Sequence, residues 1–339
     1  MATIKDVAET AQVSISTVSH VVNGTRFVSK DLRLRVENAM QQLGYRPNAL
    51  ARSLRRGRTG TIGLVIPDNA NLFFAEIARE IEELGFQNGY SVILCNTDDD
   101  PQKEIAYTTT LLEKKVDGII FISAGGSEEI LLRVLKAHMP VVLVDREARV
   151  DTDMILLDHV AGGFLAGQYL VRLGHRRLAC ISGAIQLPPS SQRVEGFLAA
   201  LHEARVPFDM NNLVSGDFRY ISGERCMDQL LNQGPTRPTA VFACNDLMAI
   251  GAIRSAHSHG LNVPQDISII GFDDIPLAQA ISPALTTIAQ PVAELAKRPV
   301  EFLIKQIQAR ENNSNNTVTQ RIILAPKLVE RDSCIHWSK

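Results

Sequence analysis

The chain has 339 residues, 45% hydrophobic and 21% charged, with a formal net charge of −2. That length exceeds one core of common size and implies two or three domains, each able to bury an interior. No apolar run reaches membrane-spanning length and Met1 to Asp6 lacks the charged-then-apolar profile of a secretory signal, so a cytoplasmic globular protein is expected, without membrane contact.

The charge is unevenly shared. Residues 1–58 hold ten Lys or Arg against four Asp or Glu, a net +6, whereas the remainder holds 25 against 33, a net −8. A basic end of this kind can displace counterions from a polyanion. Thr3 is placed to cap a helix whose Ile4, Val7, Ala8 and Ala11 fall at helical spacing. Gln12-Val13-Ser14 breaks that pattern, and Ser14 can cap a second short helix, Ile15 to Asn23. Its Val18, Val21 and Val22 turn inward, leaving Ile15, Ser16, Thr17, Ser19 and His20 facing out. A third helix, about Lys30 to Leu43, buries Val36, Ala39, Met40 and Leu43 and stops at Gly44. The expectation is a helix-turn-helix in a three-helix core, although periodicity alone fits any small helical bundle.

In the segment from Pro47 to Arg56, Pro47 suits the first helical position and Ala51 and Leu54 share one face, flanked by Arg52, Arg55 and Arg56. So short a helix cannot recover its nucleation cost alone in water, so its folding should depend on a partner.

Beyond Gly60 the rhythm changes. Thr61–Ile66, Tyr90–Cys95, Gly118–Ile122 and Val141–Val144 are apolar runs of strand length, separated by amphipathic stretches near Leu72–Gln87, Gln102–Lys115 and Glu128–Ala137. A second series has strands at Arg177–Ile181, Ala240–Ala243 and Ile267–Phe272, with helices near Gly162–Leu173, Gln192–His202, Gly223–Leu231 and Leu247–His259. Such alternation predicts two doubly wound parallel-sheet lobes with a cleft at their strand ends. The chain should cross between lobes near residues 160 and 290, with Val292–Gln308 returning to the first. A polar loop, Asn312 to Asn316, precedes Arg321–Leu324, and the absence of a terminal Leu heptad favours a dimer over a tetramer.

Catalysis is not expected. No G-x-G-x-x-G follows the first strand, and neither a Walker loop nor a G-x-S-x-G elbow is present. Asp158-His159 sets an acid beside an imidazole, but chain neighbours rarely share an orientation and no nucleophile accompanies them. The eight histidines are dispersed and the five cysteines lack a C-x-x-C pair, so no metal, cofactor or disulfide framework is expected.

Polar residues do gather at the strand ends. Asn71, Phe73 and Phe74 follow the first strand and Asp145-Arg146 ends the fourth; Arg193, Phe218, Asn245, Phe272-Asp273 and Gln290 lie at corresponding points further on. A sugar needs this set: Asp145 and Asp273 to accept from hydroxyls, Arg146 and Arg193 to donate in forks, and Asn71, Asn245 and Gln290 to do both. Phe73 or Phe74, with Phe218, would cover its C–H faces. For each residue taken singly, a helix cap, ion pair or core aromatic is an equally ordinary role.

The ordered run Thr3-Ile4-Lys5-Asp6-Val7-Ala8, Val13-Ser14, Ser16 to Asn23 and Tyr45-x-Pro47-Asn48-x-x-Ala51-x-x-Leu54 resembles the LacI/GalR family of bacterial repressors, and the resemblance spans the chain. The head is most similar to the purine- and ribose-repressor branch, through the Ser-His after Thr-Val and the Ala51-Arg52-Ser53-Leu54 tetrad. One departure is Gln12, where many members carry Gly in the turn; a single non-Gly residue can take the left-handed region at modest cost.

The resemblance implies an all-α DNA-binding head over 1–46 and a hinge helix and linker over 47–59. A periplasmic-binding-protein-like effector and dimerisation body follows over 60–339. Its first lobe would hold about 60–160 and 291–322, its second about 161–290 and 323–339. By position, Ile15, Ser16 and His20 would meet base edges, while Thr3, Ser14, Thr17, Ser19 and Asn23 would bind phosphates. Leu54 would wedge into a central base step through the minor groove, with Ala51 on its face and Arg55 at the groove wall. The strand-end residues resemble the pocket of ribose-binding periplasmic proteins. The implied function is a homodimeric repressor, released from palindromic operator DNA by a pentose, D-ribose first. A purine or hexose, as inducer or corepressor, stays open beside it, and an enzyme is the remote alternative.

Overall fold

The computed structural model describes residues 2–23, 26–45, 58–122, 128–312 and 318–338. Ala51, Leu54 and Arg55 therefore lie outside the described residues. The chain divides into two compact units, Met1–Gly60 and Thr61–Lys339.

In the first unit, α1 (Ile4–Thr10) opens with a capping box: the Asp6 amide donates to Thr3 Oγ1 at 3.4 Å and the Thr3 amide to Asp6 Oδ2 at 2.7 Å. The turn after α1 runs through Gln12 at φ +51°, the left-handed conformation that its place in the motif demands. Then come α2 (Ile15–Asn23) and α3 (Lys30–Gln42). Val7, Ala8, Ala11, Val18, Val21, Val36 and Ala39 make the core. Arg35 fastens α3 to the turn by donating to the carbonyls of Ala11 (2.6 Å) and Gln12 (3.1 Å), so polar groups at the end of α1 are paired.

The second unit runs β1 (Thr61–Ile66), α4 (Leu72–Gln87), β2 (Ser91–Asn96), α5 (Pro101–Glu113), β3 (Gly118–Ile122), α6 (Glu128–Lys136), β4 (Val141–Val144) and β5 (Asp153–Leu157). It continues with α7 (His159–Arg172), β6 (Leu178–Ser182), α8 (Pro188–Glu203), β7 (Leu213–Ser215), α9 (Tyr220–Leu231), β8 (Ala240–Ala243) and α10 (Asp246–Ser258). Last come β9 (Ser268–Asp273), α11 (Pro276–Ala280), β10 (Thr286–Ala289), α12 (Val292–Glu311), β11 (Arg321–Leu324) and β12 (Lys327–Val329).

Among the described residues the strands form two six-stranded sheets, ordered β11-β5-β4-β3-β1-β2 and β12-β10-β9-β8-β6-β7. All neighbours are parallel except β10 and β12. The fold is thus a helical head and an α/β body of two parallel-sheet lobes. Central strands such as β3, β4 and β8 are buried throughout, as strands with helices on both faces must be. The chain leaves the first sheet after β5, re-enters through α12, which packs on α4 and on β3 to β5, and leaves again after β11. That last crossing follows Leu324, where β11 ends.

Two glycines decide how closely α7 and α8 approach. A Cβ on Gly163 would lie 1.9 Å from the carbonyl oxygen of Arg193, and one on Gly196 would lie 1.9 Å from that of Val160. Backbone therefore meets backbone, and α8 carries Arg193 against the start of α7. Gly163→Ala should cost about 1–3 kcal/mol by overpacking this contact. Calorimetry of the body's unfolding transition checks it; an unchanged midpoint would contradict the close-contact account.

Candidate functional site

In the head, Ser14 Oγ accepts from the Thr17 amide at 3.1 Å, capping α2, and lies 2.7 Å from Ser16 Oγ and 2.8 Å from Thr17 Oγ1. Three hydroxyls thus cluster on the first turn of α2 beside Ile15, which is 46% exposed. Thr3 is exposed and His20 half-buried. One expectation needs correction. Ser19, expected to face outward, is instead buried and receives the Asn23 amide at 3.2 Å. Asn23 also donates to the Ser19 carbonyl at 2.7 Å. Phe27, 95% exposed in the loop before α3, was not singled out from the sequence.

In the body, the strand ends converge on Arg193. Its guanidinium lies 3.7 Å above the Phe272 ring. Nη1 donates to the Cys244 carbonyl at 2.5 Å and to Asp273 Oδ1 at 3.4 Å, and Nε donates to His159 Nδ1 at 3.2 Å. Gln290 Nε2 donates to the same Asp273 oxygen at 2.6 Å. From the first lobe, the Asp145 carboxylate receives His159 Nε2 at 2.8 and 3.0 Å. Asp145, at φ +55°, and Asp273, at φ +115°, occupy the strained left-handed region, where the chain turns sharply out of β4 and β9.

Burial pushes the Asp145 carboxyl up, but the His159 ring and the Arg193 guanidinium outweigh it, and the group ends below its ordinary range. For Asp273 the balance is reversed: burial dominates Arg193 and Gln290, and the carboxyl rises to about 6. Asp246, fully buried beneath the site, is pushed well above the carboxylate range by burial and by Asp273. It accepts from the Ile275 amide at 2.9 Å and from Thr287 Oγ1 at 2.6 Å, pinning the loop after Asp273.

Phe218, at φ +66°, is half-buried; its ring fills the space where a Cβ on Gly183 would stand and lies 6.0 Å from the Arg193 guanidinium carbon. Phe73 and Phe74 meet edge to face at 5.2 Å; Phe73 is in the core and Phe74 is half-buried against it. Asn71 caps α4 by accepting from the Phe73 amide at 3.0 Å.

Three of the expected ligand residues also carry contacts within the protein. Asn245 gives Oδ1 to the Met248 amide (2.9 Å) and donates Nδ2 to the Phe218 carbonyl (2.8 Å), so it holds Phe218 in place. Phe272 is fully buried, between Arg193 and Gly162, and serves as the platform for the guanidinium. Arg146 is drawn to Glu104 at 3.2 Å and stands 5.6 Å over Phe121, inside the first lobe.

His159 is the participant that sequence reasoning set aside. Asp158 and His159 do diverge, as neighbours should, since Asp158 caps α7 through the Ala161 amide at 2.8 Å; the divergence is what turns His159 into the cleft. Ser190, one turn before Arg193 on the same helix face, has a buried hydroxyl without a hydrogen-bond partner. The set offers a guanidinium nitrogen (Arg193 Nη2) and a carboxylate oxygen (Asp273 Oδ2) with no hydrogen bond to a described residue. A donor and an acceptor beside an aromatic face suit a polyhydroxyl ligand. Two surface hollows, of about 410 and 340 Å³, are lined by residues 148–152, Met154 and residues 319–321 and by faces of α4 and α12, and hold none of these side chains. No group of described His, Cys, Asp and Glu residues could hold a metal ion, and no described helix is long and apolar enough to cross a membrane.

Residues 3–48 match the model of bacterial regulatory proteins of the lacI family, and residues 168–334 match that of a periplasmic binding protein-like domain. The chain is 42% identical to the HTH-type transcriptional repressor PurR of Klebsiella pneumoniae (strain 342), covering 98% of this chain and 97% of the relative. It is also 42% identical to the ribose operon repressor of Escherichia coli (strain K12), covering 98% and 100%. Among solved structures, the lac repressor dimer bound to operator and the anti-inducer ONPF superposes with a TM-score of 0.85 at 29% identity, covering 98% and 99%. A LacI-family regulator from Enterococcus faecium with bound ribose superposes at 0.75 and 31% identity, covering 82% and 100%. A helical head joined to a two-lobed ligand-binding body is a regulator's architecture. The chain belongs to the LacI family.

The raised Asp273 has a definite consequence. The folded state holds that proton more tightly than the unfolded chain, so its stability contribution is full below the ordinary carboxylate range and is lost as the pH rises through about 6. Asp273→Asn removes the titration, so the midpoint of the variant should gain on that of the parent between pH 4 and 6 and run level above 7. Calorimetry across that range checks it, and a constant difference would contradict the assignment.

Proposed function

We infer that the chain is a homodimeric transcriptional repressor, not an enzyme, that binds a palindromic operator through α2 and is released when a pentose, D-ribose first, occupies the cleft around Arg193. The observation that carries the ligand class is the Arg193 guanidinium, laid on Phe272 with Nη2 left to donate beside Asp273 Oδ2 and the Phe218 ring. The similarity to a ribose operon repressor and to a ribose-bound regulator supports the sugar. The hydroxyl cluster of Ser14, Ser16 and Thr17 beside exposed Ile15 supports α2 as the major-groove helix, with Ile15 and Ser16 as its base readers. Twofold pairing on a palindrome accords with the lac repressor dimer on its operator. The head would span residues 1–46, the hinge 47–59 and the body 60–339, in the cytoplasm and on the nucleoid when bound to DNA.

A purine corepressor is the second reading, favoured by the equal 42% identity to PurR. Gel shift separates the two, using operator fragments selected by the full chain. Ribose should lower the bound fraction; tighter binding with hypoxanthine and no response to ribose would replace the first reading with the second.

The hinge role of Leu54, with Ala51 and Arg55, rests on the sequence motif. Leu54→Ala should weaken operator binding about ten-fold or more, the order of one lost apolar anchor, while calorimetry shows sugar affinity intact. Unchanged operator affinity would remove the wedge.

A further inference from the structure

We propose that His159 is the positioning residue that joins the ligand anchors of the two lobes, held as the Nε2-protonated tautomer. The proposal rests on the cleft being the effector site. His159 is the first residue of α7, directly after the strand by which the chain leaves the first sheet. Its ring is 2% exposed, and the groups facing it come from three other elements: Asp145 beyond β4, Arg193 on α8, and Phe272 near the end of β9. Its neighbour Asp158 is engaged with the Ala161 amide.

The hydrogen bonds fix the proton. Arg193 Nε always carries one, so His159 Nδ1, 3.2 Å away, has to accept; the ring proton is then on Nε2, where it is shared between the two Asp145 oxygens at 2.8 and 3.0 Å. A second ring proton would set N–H against N–H at Arg193. An imidazole presents its donor and acceptor on nearly opposite sides of a rigid ring, so it can bridge a carboxylate of one lobe and a guanidinium of the other. A carboxamide carries both on one carbon and can serve only one of them from this position. Asp145 and Arg193 are the anchors proposed for the sugar, so the ring fixes their separation, and through it the angle at which the lobes meet a ligand.

Three full-chain variants divide the two bonds, each checked for a normal unfolding transition. His159→Gln places an amide where Nε2 stands and keeps the Asp145 bond; His159→Asn keeps an acceptor on the Nδ1 side and serves Arg193. Calorimetric titration with D-ribose should show each losing about ten-fold in affinity, and His159→Leu, which fills the space with neither bond, about a hundred-fold. A purely packing role would leave the Leu variant tolerant, so parental affinity there overturns the proposal. Independently of any ligand, the nitrogen spectrum of the full chain labelled at histidine should show an Nε2-protonated ring that vanishes in His159→Gln. An Nδ1-protonated ring at that position overturns the proposal too. If the parent gives no heat with ribose, the pentose reading fails, while the nitrogen spectrum still decides the role of His159.

Discussion

A guanidinium cannot lose its charge, and burying one is tolerated only where its donors are paired and its face is covered. Arg193 meets that requirement with a ring beneath it, a carbonyl and a carboxylate at one nitrogen and an imidazole at another. The partners come from three parts of the fold, the end of β9, the residue after β8 and the start of α7, so the position of this one side chain records how β8, β9, α7 and α8 are packed. The glycine contact between α7 and α8 sets its height, Asn245 holds Phe218 over it, and Asp246 pins the loop that carries Asp273.

Two nearby carboxylates differ because their surroundings do. Asp145 has the His159 ring on both oxygens and remains ionised against its burial, whereas Asp273 shares one oxygen between Gln290 and a longer contact to Arg193 and is pushed up to about 6. The first lobe therefore contributes a firm acceptor and the second a softer one, on either side of a donor. Closing the lobes on a hydroxylated ligand would use both, and the coupling of that closure to DNA would be a free-energy difference between two arrangements of the body.

Much of the fold was legible in the sequence. Strands β1, β3, β4 and β8, and helices α2 and α4, have the bounds that periodicity predicts, because continuous apolar runs and capped amphipathic stretches determine them. Strand β5 was missed since it opens with Asp153, whose carboxylate is paired with Gln306 and the Gln320 amide, and β10 since Thr286 and Thr287 are buried by hydrogen bonds to partners distant in sequence. Helices α7 and α8 begin earlier than expected because Asp158 caps one and paired prolines open the other. In the site, residue types were readable but side-chain commitments were not: nothing local shows that Glu104 claims Arg146. The burial of Ser19 was recoverable, since it stands next to Val18 and three before Val22, both on the inner stripe.

The most direct measurement is a crystal structure of the full chain grown with D-ribose. The account predicts a sugar within hydrogen-bond distance of Arg193 Nη2 and Asp273 Oδ2, with the Phe218 ring on its C–H face and the His159 bridge between Asp145 and Arg193 intact. A sugar bound elsewhere, or one seated in the cleft without touching Arg193, would contradict it.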